Sequence, residues 1–247
     1  MNLLRILLVI SVFQLQAQKT IDPNYFSNPL DIPMVLSGSF GELRSNHFHS
    51  GLDIKTQQRS GVPIYAPADG YVSRIKVGHY GYGKALYIKH PNGYSTVYAH
   101  LQKFETTIQD FVKQSQYKKE RYEIELFPKE SSLLVKKGDL IAYTGNSGSS
   151  GGPHLHYEIR DAYSRPMNPM LFGLEIPDTK DPSVTSVLAY PVSDDATVNQ
   201  SSEPVKLRLI KQKDGSYKTE KISAYGKIGF GIAATDQQNG AYNKNGV

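Results

Sequence analysis

The sequence predicts a mostly β protein built on antiparallel sheet, followed by part of a second all-β domain. Three observations carry that expectation. Residues 71–77 alternate as a half-buried strand does, with Tyr71, Ile75 and Val77 on one face. The runs 85–90 and 94–100 are strand-like and flank Pro91-Asn92-Gly93; Asn-Gly between such runs signals a hairpin, because both residues tolerate positive φ. Turn residues recur at close intervals from 34 to 172, which suits an antiparallel sheet or barrel.

Taken in order, the chain opens with a short basic start at Met1 to Arg5 and an apolar run over 6–15. Leu15-Gln16-Ala17 then offers a small residue fit for cleavage, so 1–17 reads as a signal peptide. The run is too short for a comfortable membrane span, so an exported protein without a stable span after cleavage is expected, in the periplasm or cell envelope or secreted. There is no cysteine, which excludes lipid attachment through an N-terminal Cys and any disulfide. Residues 18–33 are polar and proline-punctuated, a lead-in to a main domain over 34–173. Within that domain 104–132 reads as an insertion. Phe104, Ile108, Phe111 and Val112 have helical spacing, Thr106 with Gln109 fits a capping box, and Tyr122, Ile124 and Leu126 alternate as a strand would. It is either a lid over a groove or a solvated excursion. Beyond Gly173, Pro177, Pro182 and Pro191 mark a linker, and 205–210 and 228–233 look like strands. The segment 174–247 is short of the ~100 residues of a full sandwich, and it stops at the turn signal Asn245-Gly246-Val247. The expectation is a chain that continues in a longer protein.

Hydrophobic residues make up 39% and charged residues 21% of the 247, a composition that builds a globular core. The formal charge is +5, or +4 once 1–17 and its single charge, Arg5, are removed. That mild excess suits an anionic polymer such as a cell wall without identifying one. No stretch has the form of a basic nucleic-acid arm or motif, so no nucleic-acid partner is expected.

Four of the seven histidines fall in three short motifs: His49-Ser50-Gly51-Leu52-Asp53, Tyr98-Ala99-His100-Leu101, and Gly152-Pro153-His154-Leu155-His156-Tyr157-Glu158. A catalytic zinc takes three protein ligands and keeps a position open for water. On an extended strand residues two or four apart share a face, so His49 with Asp53, and His154 with His156, can each point at one ion. A cluster of one Asp and two or three His follows if these strands are neighbours. The helical His-Glu-x-x-His motif is absent, so such a site is borne on sheet. A lone histidine is more often packed or surface-lying than a ligand. His47, His79 and His90 lack partners in sequence; His47 shares strand parity with His49 and is expected to flank the site. Gly148-Ser149-Ser150-Gly151-Gly152 fits the Gly-x-Ser-x-Gly pattern, but a nucleophile elbow needs a following helix and a later Asp then His. Pro153 and a strand-like run follow instead, so these glycines read as a flexible turn. They form no phosphate loop, because Gly-Lys-Ser/Thr is missing.

In this order and with this glycine framing, the three motifs resemble peptidase family M23, the lysostaphin-type zinc endopeptidases that cut peptidoglycan cross-bridges. The resemblance runs from about Phe40 to Glu158. It also takes in 63–72 with its Ala68-Asp69-Gly70-Tyr71-Val72, the stretch from Tyr80-Gly81-Tyr82-Gly83 to His90, Val135-Lys136-Lys137-Gly138-Asp139 and Thr144-Gly145-Asn146-Ser147-Gly148. It implies an antiparallel β-sheet groove, like a duplicated hybrid motif, with the metal at its floor. By motif position it implies one zinc per chain held by His49, Asp53 and His156, with His100 and His154 as catalytic histidines. The implied reaction is hydrolysis of peptide bonds in peptidoglycan stems by metal-activated water. All five positions are filled, which argues against the alternative of a non-catalytic wall-binding or amidase-activating member. The insertion 104–132 is longer than the family's usual link, and 174–247 lies outside the resemblance.

Overall fold

Residues 21–246 are described here by a computed structural model, in which 38% of the chain is strand and 8% helix. The segment expected to be a signal peptide lies outside the described residues. The strands are β1 (Leu36–Gly38), β2 (Leu52–Lys55), β3 (Pro63–Tyr65), β4 (Gly70–Val77), β5 (Lys84–Lys89), β6 (Ser95–Ala99) and β7 (Lys103–Phe104). Helix α1 (Thr106–Lys119) follows, then β8 (Ile124–Leu126), β9 (Leu134–Val135), β10 (Leu140–Tyr143), β11 (His154–Arg160) and β12 (Pro166–Met167). A nine-stranded sheet has the order β1-β2-β11-β6-β5-β4-β8, with β12 on β11 and β9 on β4. A second sheet, β3-β10-β7, lies beside it. Every pairing is antiparallel.

The period of two along each strand gives the large sheet two chemically distinct faces. Leu52, Ile54, Leu86, Ile88, Tyr98, Leu155, Tyr157 and Ile159 are fully buried in the main core. Each contributes roughly 1.5–3 kcal/mol by leaving water. Their neighbours in sequence point the other way. Register pairs His154 with Lys55, and His156 with both Asp53 and Ala99, so the residues of two distant motifs lie side by side on the opposite face.

Several local expectations are corrected. In β4 a bulge between Val72 and Arg74 shifts the parity, so Val72, Ile75 and Val77 are buried while Tyr71 is not. The hairpin between β5 and β6 forms, but only Gly93 has positive φ. Gly93 N donates to His90 O at 2.9 Å, a turn with proline second and glycine last. The N-cap of α1 is Glu105, whose carboxylate accepts from Thr107 N and Ile108 N; Phe104 belongs to β7, and Gln109 Oε1 accepts from its amide. The helix lays Ile108 and Val112 on the main core. Phe26 and Leu30 are buried in the same core, with Phe26 edge-on to Phe172 and His90, so part of the 18–33 stretch packs against the sheet.

The C-terminal segment carries β13 (Ser183–Pro191), β14 (Thr197–Val198), β15 (Val205–Leu207), β16 (Leu209–Lys211), β17 (Tyr217–Thr219), β18 (Ala224–Tyr225), β19 (Ile228–Asp236) and β20 (Asn245–Gly246). Its main sheet is β15-β13-β19-β20, over a small apolar cluster of Val187, Ala189, Val198 and Leu207. The 205–210 run is split at Arg208 into β15 and β16, which pair with different partners.

Candidate metal centre

The site is assembled where β2 and β11 run side by side. Gly51 lets them approach: a Cβ there would lie 2.3 Å from the Tyr157 carbonyl oxygen, so no other residue fits without moving backbone. Asp53 sits on β2 and His156 opposite it on β11. His49 is not on the strand, contrary to the parity expectation. It ends a loop in which its amide donates to Glu42 O at 2.8 Å and its carbonyl accepts from Gly41 N at 2.8 Å.

Three ligand-type atoms converge. His49 Nε2 lies 3.1 Å from Asp53 Oδ1 and 3.0 Å from His156 Nδ1, and His156 Nδ1 lies 2.9 Å from Asp53 Oδ1. These edges are close to the roughly 3.3 Å expected between ligands at tetrahedral bond lengths near 2.0–2.1 Å. The outer nitrogens fix the tautomers: His49 Nδ1 donates to Ser39 O at 2.8 Å, and His156 Nε2 donates to Glu158 Oε1 at 2.9 Å. Each ring is thereby left with its inner nitrogen facing the cluster, as a metal ligand needs. Asp53 Oδ2 accepts from Arg44 Nη2 at 2.9 Å. The donor set suits a borderline metal ion such as zinc.

The electrostatics favour a cation. Burial alone would raise the Asp53 carboxyl, but the adjoining imidazoles of His154, His156 and His49 outweigh it and hold the group well below the usual carboxylate range. Burial likewise opposes charge on Glu158, yet His156 and Arg160 bring it down to about 2. His156 is disfavoured as a cation by burial, but its bonds to Asp53 and Glu158 lift it to about 9. The centre thus draws positive charge between two ionised carboxylates.

Two more histidines stand beside this triad. His154 Nδ1 donates to Gly152 O at 2.8 Å; its Nε2 is buried, makes no hydrogen bond, and lies 3.4 Å from Asp53 Oδ1. His100 follows β6 with a left-handed φ of 59°, a strained conformation for a histidine that costs on the order of 1–3 kcal/mol. Its Nδ1 donates to Ser147 O at 2.9 Å. Burial pushes the His100 imidazole down to about 4, against the pull of that carbonyl. The two rings are 4.8 Å apart between centroids.

All five histidine and aspartate positions singled out from sequence line one cleft of about 370 Å³. His47 lines it too, but it is exposed, bonded to Asn46, and makes no hydrogen bond to the three ligand-type residues. No residue of 104–132 lines this cleft among the described residues. Ser150 donates its hydroxyl to Gly152 O, and strand β11 follows, so no nucleophile elbow is present. Sequence reasoning passed over Glu158 as a site residue, and also Tyr82 and Arg44. Glu158 was visible within its motif. Tyr82 lay within the Tyr80-Gly81-Tyr82-Gly83 stretch of the resemblance, whereas Arg44 carries no spacing signal, because the fold alone brings it in.

Comparison with known proteins places these residues in context. The profile of peptidase family M23 matches residues 47–117 and 129–169, leaving out part of the insertion. DD-carboxypeptidase/endopeptidase Mpg of Neisseria meningitidis serogroup B is 33% identical over 136 residues, 55% of this chain and 25% of that protein. Peptidoglycan DD-endopeptidase ShyB of Vibrio cholerae is 32% identical over 160 residues, 64% of this chain and 31% of that protein. The chain therefore spans under a third of the length of these curated relatives. A crystal structure of a zinc-containing peptidase from Vibrio cholerae is similar at 28% identity and a TM-score of 0.44, over 59% of this chain and 39% of that one.

Proposed function

Residues 47–117 and 129–169 form a domain of peptidase family M23, and from that premise we propose that this protein is an exported zinc endopeptidase that hydrolyses the peptide cross-bridges of bacterial peptidoglycan. The observation that carries the reading is the convergence of ligand atoms from His49, Asp53 and His156 within 4.8 Å of one another, beside His100 and His154. Relatives named for peptidoglycan DD-endopeptidase activity support the substrate class.

His49 Nε2, an Asp53 oxygen and His156 Nδ1 would hold the ion. Zinc bound there supplies Lewis acidity toward a carbonyl and a water of lowered pKa. The chain's own groups do the rest. Glu158 and Ser39 keep the two ligand imidazoles in the right tautomer and orientation. His100 stays neutral near pH 7, so it can accept a proton at Nε2. His154 keeps its Nδ1–H on Gly152 O, so its unpaired Nε2 faces the same space as an acceptor; it can take a proton there from the attacking water and then pass it to the leaving amine. Strain at His100 and the tight 145–148 loop fix the distance between the two rings; a Cβ on Gly145 would lie 2.7 Å from His100 O.

An envelope location follows from the substrate. No helix among the described residues is long and apolar enough to cross a membrane. The test is zinc stoichiometry of the purified protein together with muropeptide release from purified sacculi, with and without a chelator. One zinc per chain and chelator-sensitive release of uncross-linked peptides is the expected result. Absence of both would sink the peptidase reading in favour of a non-catalytic wall-binding or amidase-activating protein.

A further inference from the structure

A second cleft, of about 690 Å³, opens from the metal centre and ends on the C-terminal segment. Asp53 and His154 line its inner end, and Gly240 and Tyr242 its outer end. It shares Arg44, Asp53, Gly151 and His154 with the site cleft, so the two are continuous. We infer that this outer arm, completed by residues 240–243, holds an extended peptide strand bearing a free carboxylate, with Lys55 as its pairing cation and Tyr242 as its apolar cover. The inference rests on the peptidase reading and names the part of its substrate that this arm receives.

Strand geometry fixes where Lys55 stands. It lies two residues beyond Asp53 on the same face of β2, directly opposite His154. That is about 7 Å along the strand, the length of two residues of extended peptide. A carboxylate paired there sits about two residues from the bond being cut.

Charge fixes what the arm accepts. Among the described residues Asp53 is the sole acidic side chain lining it, and its carboxylate is already engaged by Arg44 and the histidines. Arg44 and Lys55 leave the arm cationic. Lys55 Nζ donates to Asn243 Oδ1 from the C-terminal segment, which engages one of the three donors of its ammonium.

The outer wall is a built feature. Gln238 is buried and makes two hydrogen bonds to the main-chain edge of the peptidase sheet: its Oε1 accepts from Leu36 N and its Nε2 donates to Met34 O, each at 2.7 Å. That clamp sets the 240–243 turn beside the cleft. Tyr242 is 97% exposed, an aromatic ring at the rim of the arm. Gln57 and Gln58 also line the arm and are consecutive left-handed residues, with φ of 55° and 59°.

The experiment uses the zinc-loaded full chain with two probes. One is a soluble cross-linked stem-peptide dimer with free α-carboxylates; the other is the same dimer amidated. Kinetics are measured on the unsubstituted protein, Lys55→Met, Lys55→Arg and Tyr242→Ala. Calorimetric Kd values are measured for the same variants in a His154→Ala background. The expected result is a KM and Kd raised roughly tenfold for the free acid in Lys55→Met, with kcat within about twofold, rescue by Lys55→Arg, and little change for the amidated dimer. Tyr242→Ala should raise both constants for both probes. Unchanged KM and Kd in Lys55→Met and Tyr242→Ala, or no binding of the free acid by any variant, would overturn the inference. If the unsubstituted chain binds but does not cleave, the peptidase reading fails while the Kd values still decide the arm.

Discussion

Glu158 collects four donors on one fully buried carboxylate: Ser50 Oγ, the Tyr82 hydroxyl and His156 Nε2 on Oε1, and Arg160 Nε on Oε2. The Glu158→Gln substitution keeps the shape but replaces one acceptor oxygen with a donor and removes the charge. Metal affinity should fall by roughly 10–100-fold, read by chelator competition, with the fold intact by circular dichroism. His49→Ala or Asp53→Ala should lose metal and activity together. His154→Ala should retain about one zinc by elemental analysis while turnover drops by roughly 10²–10⁴-fold; loss of the metal there would show that His154 is a ligand. His90 has a different task. Burial pushes it down to about 4 while its Nδ1 donates to Asp69 O and its Nε2 accepts from Thr96 Oγ1. Its folded pKa lies below the unfolded value near 6.5, so between these values the unfolded chain binds the extra proton. Stability should therefore fall as pH drops from about 6.5 to about 4, by up to on the order of 3 kcal/mol. The fall of melting temperature over that window should be shallower in His90→Gln, the part due to His100 remaining.

At the scale of elements, glycine decides how close strands and loops come. Gly51→Ala would drive a methyl group into the Tyr157 carbonyl of the neighbouring strand, an obstacle of backbone rather than a flexible side chain. It should cost about 1–3 kcal/mol or more and loosen the His49–Asp53–His156 triangle, so melting temperature and zinc affinity should fall together. The insertion behaves as a packed excursion. Its helix is capped by Glu105 and anchored through Ile108 and Val112, and its residues stay out of the site cleft. Insertion and site are linked indirectly: Glu123 accepts from His79 N, and Tyr122 stacks on the His79 ring, next to the 80–83 turn that carries Tyr82.

Among the described residues a four-residue apolar cluster of Ala85, Tyr87, Val97 and Ala99 accompanies two others, a large core reaching from Phe26 to Leu174 and a small C-terminal one within 184–228, and the last two are separate. Gln238 joins them through polar rather than apolar contact. Gln238→Ala leaves Leu36 N and Met34 O without these partners, at about 1–3 kcal/mol. Hydrogen exchange at 34–36 and proteolysis within 239–244 should both accelerate, while the main core keeps its protection. Unchanged exchange at Leu36 would show that the amide finds another acceptor.

Sequence alone determined the chemistry-bearing residue types and much of the sheet. Period-two alternation and turn residues mark strands because side-chain direction alternates residue by residue, and the His-x-His pair on β11 shares a face for that reason. Where the chain departs from strict alternation the sequence misled: the β4 bulge moves Tyr71 off the buried face, and His49 reaches Asp53 from a loop rather than along a strand. The main-chain carbonyls that fix His49, His100 and His154 belong to Ser39, Ser147 and Gly152, and a carbonyl leaves no mark in side-chain identity. Only the tertiary structure brings Arg44 onto Asp53, Tyr82 onto Glu158, and the 240–243 turn to the mouth of the cleft. Those contacts join residues 9, 76 and up to 204 positions apart, and no local periodicity encodes a meeting that sheet order and loop path decide.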